Sequence, residues 1–119
     1  MNKKFFCILL LILFLIFLLY LQFGREITVC NSINLSSSNQ KELELNIIAN
    51  RLYIWNETAY ARKILKRAQD NKLPQIKLSY PHSDKYVIHI YLDNQDWTDD
   101  NTAFTIIYIS KLDRLIIAI

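Results

Sequence analysis

The residues able to do chemistry in this 119-residue chain are few and scattered: two histidines, His82 and His89, and two cysteines, Cys7 and Cys30. Nucleophilic catalysis needs a nucleophile, a base and an orienting group brought to one point. Cys7 lies inside an apolar run, and Cys30 sits in a polar stretch that is a poor place to preorganise a nucleophile. The single glycine, Gly24, leaves no nucleophile-elbow pattern and no glycine loop to cradle a phosphate. His89 with Asp93 or a neighbour is the pairing a small hydrolase would have to use. Zinc sites want Cys or His pairs at close spacing, which one cysteine and two separated histidines do not supply. Asp93, Asp96, Asp99 and Asp100, with Asn94 and Asn101, crowd hard oxygen donors into one loop. The turn glycine and closing glutamate of an EF-hand are missing there, so a solvated acidic turn is the expectation. The chain is therefore read as a non-enzyme, with no catalytic residue, metal or cofactor assigned.

Binding chemistry is better represented. Arg62, Lys63, Lys66 and Arg67 put four cations on one arc of a helical wheel. Such a face suits an acidic protein, anionic lipid head groups or the acidic loop of a second copy, which makes self-association one reading. Trp97 stands in the polar loop, where an aromatic either anchors an interface or packs over a sheet edge. These five residues are the candidate interaction surface. Nucleic acid is not an expected partner. Lys3 and Lys4 precede the apolar run, so the other 12 basic residues face 11 acidic ones and leave the rest of the chain near +1.

The elements that carry these residues follow from periodicity. Tyr60, Ala61, Ile64, Leu65 and Ala68 share one side of a helix predicted over 57–72, opposite the four cations. Asn56 suits its N-cap, Glu57 its positive end, and Pro74 follows its stop. Beyond Pro74 the period becomes two. Strands are predicted over 75–80, 86–93, 103–110 and 114–119, separated by turns at 81–84 and 111–113 and by the polar loop 94–101. Residues 41–55 fit either period: 42–47 alternates like a strand, whereas Leu43, Ile47, Ile54 and Ala61 fit a helix running into the next one, the preferred reading. The expected fold is α+β, an amphipathic helix on a four-stranded antiparallel sheet joined by short connections. In layout alone this resembles cystatin-like folds, in which a helix lies across a curved sheet.

Residues 5–21 read FFCILLLILFLIFLLYL, with 15 of 17 positions Leu, Ile or Phe and no charge. Those side chains favour insertion by about 5 to 9 kcal/mol. No small-x-small cleavage site follows, so the segment is expected to remain as a signal anchor. The expected organisation is a cytoplasmic N-terminus at 1–4, a transmembrane segment at 5–23, a polar tether at 24–40 and a small α+β domain at 41–119. Lys3 and Lys4 against Arg25 place the N-terminus in the cytoplasm and 24–119 outside it. The sequence thus suggests a single-pass membrane protein with a noncatalytic extracytoplasmic domain in a protein-binding or envelope accessory role. The alternative is an exported inhibitor or immunity-type protein acting on an extracytoplasmic enzyme.

Overall fold

The computed structural model describes residues 2–37, 40–77 and 83–119. His82 and residues 78–80 of the first expected strand lie outside them. The chain opens with α1 (Lys3–Leu19), which runs directly into a π-helical turn, Tyr20–Gly24. The Asn2 side chain caps α1 by accepting from the Lys4 amide at 3.2 Å. No side chain of α1 is buried. Together these segments make one helix of 22 residues, long and apolar enough to cross a membrane. At 1.5 Å per residue it measures about 33 Å.

Five strands follow: β1 (Thr28–Ser37), β2 (Gln40–Ile48), β3 (Lys85–Tyr91), β4 (Phe104–Ile109) and β5 (Arg114–Ala118). Helix α2 (Glu57–Gln69) lies between β2 and β3, and the short α3 (Asn94–Thr98) between β3 and β4. The strands lie side by side in chain order. Three neighbouring pairs are antiparallel, and β2 and β3 run parallel.

The fold is α+β, but its sheet is mixed and five-stranded, not antiparallel and four-stranded. Two stretches account for the difference. Residues 41–48, preferred as helix, form β2, because their alternation places Leu43, Leu45 and Ile47 on one fully buried face. Thr28–Ser37, expected within a tether, pairs with β2 as the edge strand, with a register irregularity between Val29 and Asn31. In the expected strand at 75–80, Gln75 takes a left-handed φ of 66°. Its side chain instead holds β1, accepting from the Val29 amide at 3.1 Å and donating to the Ile27 carbonyl at 3.4 Å. The long path from Ile48 to Lys85, helix included, is what permits a parallel return. That pair also removes the layout shared with cystatin-like folds.

Helix α2 forms where its wheel predicts, three residues shorter at its end. Asn56 caps it, accepting from the Ala59 amide at 3.0 Å. Tyr60, Ala61, Ile64, Leu65 and Ala68 are buried. They form one core with Leu43, Leu45, Ile47, Tyr86, Ile88, Ile90, Phe104 and Ile106 of the facing sheet. The helix closes with Asn71 at φ 55°. The Lys72 amide reaches the Arg67 carbonyl at 2.8 Å and the Asn71 amide reaches Ala68 at 3.1 Å. These two bonds make a Schellman stop.

Candidate functional site: a basic cleft at the end of the apolar helix

The junction between the apolar helix and the sheet domain begins at Gln22. In a run of Leu, Ile and Phe, this amide is the lone polar side chain before Arg25, and it is buried. Its Oε1 accepts from the Leu52 and Tyr53 amides at 2.9 and 3.0 Å, and its Nε2 donates to the Tyr53 carbonyl. A side chain in the last turn of the helix thereby holds the loop that follows β2. Gly24 lets the turn close: a Cβ there would stand 2.6 Å from the Tyr20 ring. Arg25 folds back and donates to the Leu21 carbonyl at 2.9 and 3.1 Å, satisfying the end of the helix.

Two concavities flank this junction. The first is apolar, about 500 Å³, between Leu15, Leu18 and Leu19 of the helix and Leu52, Tyr53 and Trp55 of the loop. Those three loop residues are 48, 55 and 73% exposed. The Tyr53 and Trp55 rings meet edge to face at 5.3 Å.

The second is a cleft of about 230 Å³ whose polar walls are Arg25, Glu26, Arg51, Tyr60, Lys63 and Arg67. Four cations face one carboxylate there. Arg67 Nη1 pairs with Glu26 Oε1 at 2.9 Å. That contact, first, and the Ile27 amide, second, hold the Glu26 carboxyl below its usual range. The Arg51 guanidinium lies 4.9 Å from the Tyr60 ring centre and 5.8 Å from that of Phe23. Tyr60 is 6% exposed, and its hydroxyl has no hydrogen-bond partner among the described residues. Burial pushes that phenol up to about 12, so it stays a donor at neutral pH.

The expected surface is thus divided. Lys63 and Arg67 join the cleft, while Arg62 and Lys66 are exposed outside its walls. Trp97 is half-buried, its ring edge to face with Tyr91 at 5.0 Å, the sheet-packing outcome of its two readings. The acidic loop around it is α3. Asp93 caps that helix, accepting from the Asp96 amide at 2.8 Å, and Asp100 ends it at φ 55°. Among the described residues no three His, Cys, Asp or Glu side chains converge as metal ligands. Arg51, Tyr60 and Gln22 were not among the sequence candidates. Gln22 left a signal as the one amide closing an apolar run. Arg51 left none, and Tyr60 was read as core.

His89 deserves comparison with a catalytic base. Its Nδ1 stands 3.1 Å from Thr105 Oγ1 and its Nε2 3.2 Å from Glu44 Oε1. Hydroxyl, imidazole and carboxylate are in the order of a nucleophile relay. All three project from adjacent strands β2, β3 and β4. Such interior strands commit their backbone N–H groups to neighbours, which leaves few donors for an oxyanion. The row serves as a cross-strand polar contact. Cys30 sits at the irregularity in β1, unpaired, and burial pushes its thiol up, away from the reactive thiolate.

Compared with known proteins, the chain matches no family model, no curated protein and no solved structure.

Proposed function

We propose that this protein is a single-pass membrane protein with a noncatalytic domain seated against the bilayer surface, where it serves a membrane-associated protein partner. The observation that carries this reading is the Gln22 junction. It supports retention of the helix, because Gln22 is at once the end of the apolar segment and the clasp of the loop at 52–53. The exposed side chains of α1 form an apolar surface far larger than water-exposed proteins ordinarily bear. Its length of about 33 Å matches a hydrocarbon core of about 30 Å. Leu52, Tyr53 and Trp55, beside the last turns of α1, then fall at the interface level that favours Tyr and Trp.

The side is set by charge near the helix in sequence. Lys3, Lys4 and the amino terminus precede it, while Arg25 and, 17 residues past its end, Lys41 follow, a margin that favours the N-terminus in the cytoplasm and residues 24–119 outside. The cleft cations from Arg51 onward lie more than 20 residues beyond the helix and fall outside that count. Holding a small domain at the surface raises its effective concentration for a partner in the same membrane.

Membrane fractionation with intact-mass measurement and protease protection tests this proposal. The full-length mass should stay in the membrane after an alkaline wash, with the domain cut only by protease added outside the cell. A soluble product lacking the apolar segment would overturn anchoring. Hydrolytic activity abolished by His89→Ala would overturn the noncatalytic reading.

A further inference from the structure

We infer that the cleft beside the apolar helix is a phosphate-binding site, formed by Arg51, Tyr60, Lys63 and Arg67, and that it takes the head group of an anionic phospholipid. Four features carry this. The walls hold four cations, Arg25 included, against the single carboxylate of Glu26. Of these, the Arg51 and Lys63 side chains make no hydrogen bond or ion pair among the described residues, and the Arg51 guanidinium lies against two aromatic rings. The Tyr60 hydroxyl is buried with no hydrogen-bond partner among the described residues. A donor stranded in this way is costly, and a ligand oxygen would recover that cost. The volume, about 230 Å³, holds a phosphate ester with a few waters at roughly 30 Å³ each.

Glu26 and Arg67 fit the same picture. Their 2.9 Å pair occupies the anion position with an internal carboxylate that is itself 62% exposed, and whose displacement would break only one further bond, that from the Ile27 amide at 3.0 Å. A phosphate has the oxygens to replace it on Arg67 and to reach Lys63 and the Tyr60 hydroxyl together. The lipid source follows from position: Phe23 and Gly24 at the end of the apolar helix form the cleft's near wall. This choice of source rests on the membrane-anchored reading, whereas phosphate binding itself does not.

The test uses the full chain in a maltoside detergent, titrated calorimetrically with inorganic phosphate, dihexanoyl phosphatidic acid and dihexanoyl phosphatidylcholine. Saturable one-to-one binding of phosphate and phosphatidic acid is expected. Tyr60→Phe keeps the ring and removes the hydroxyl, and Lys63→Gln removes one free cation. Each should weaken binding about tenfold, the loss of one charge-assisted hydrogen bond. Glu26→Gln should strengthen it, which a merely structural ion pair would not do. Arg62→Gln with Lys66→Gln, on the same helix but outside the cleft, should leave it unchanged. Phosphatidic acid binding more tightly than inorganic phosphate supports the lipid source. The reverse order supports the site and overturns that source. No saturable binding of either anion overturns the proposal. So does an equal loss from the Arg62 and Lys66 changes, which would mean diffuse charge. Because the phosphate arm runs in detergent, a chain washed off membranes that still binds phosphate would separate failure of anchoring from failure of the site.

Discussion

At the scale of single residues, the junction turns on Gln22, whose amide meets two N–H groups and one carbonyl of the loop. Gln22→Leu is close in volume and favours the apolar helix, so its cost falls on the stranded loop groups. Leaving such groups unpaired costs about 1 to 2 kcal/mol after partial solvation. Hydrogen exchange in detergent should show the Leu52 and Tyr53 amides exchanging roughly tenfold faster, with α1 unchanged. Unaltered protection at both amides would show that the contact does not hold the loop. Little of this site is legible in the chain. The four cations at 62, 63, 66 and 67 stand out as a cluster, yet only Lys63 and Arg67 reach the cleft. Tyr60 stands on the same helix one turn before Lys63, but the walls from 23–27 and from Arg51 are distant in sequence and meet them only in the fold. Tyr60 reads as core by period, and its ring is core, packed edge to face on Phe104 at 6.3 Å. Its hydroxyl is the part the phosphate proposal uses, and periodicity reports only the ring.

At the scale of elements, α2, β3, β4 and β5 follow their sequence periods closely, because each has one face on the core and one off it. The expectations fail at 75–77, which form no strand, at 94–98, expected as loop and found as α3, and most consequentially where tertiary pairing decides. β1 is rich in Ser and Asn, poor strand formers, and becomes a strand by bonding to β2 along its length. β2 carries both periods in its letters, and the two fully formed neighbours select the strand. The chain also has one glycine for many turns. Left-handed positions therefore fall to Asn50, Asn71, Asp100 and Asp113, whose short polar side chains tolerate them, and to Gln75. Asn71, at the stop of α2, is the clearest case. Asn71→Val should be less stable than Asn71→Gly by more than about 1 kcal/mol, because only glycine meets this backbone angle without a Cβ penalty. Urea unfolding midpoints measure both, and equal midpoints for the two variants would show that the backbone angle there carries no strain.

At the scale of the whole molecule, the protein is a rod joined to a small head, with principal extents of 72 × 27 × 24 Å. The rod exposes its apolar side chains, and the head is close to neutral. These two parts meet in one junction, with hydrogen bonds from Gln22 to the loop at 52–53, and with the apolar recess and the basic cleft beside it. A tether would let the head drift by tens of ångströms; under the membrane-anchored proposal the clasp instead fixes which surface faces the lipid. Leu52, Tyr53 and Trp55 are the exposed apolar side chains beside the last turns of α1. The arrangement makes a prediction that an anchor with a loose domain does not. In a Trp97→Phe variant, Trp55 is the one remaining tryptophan. Reconstituted in bilayers, its emission should shift to the blue and be quenched by lipids brominated near the head of the acyl chain. Adding Gln22→Leu should weaken that quenching while the helix stays inserted, since the loop is then released from the helix end. Trp55 emission like that of a fully hydrated indole, insensitive to brominated lipid, would place the loop in water and remove the basis for a seated head.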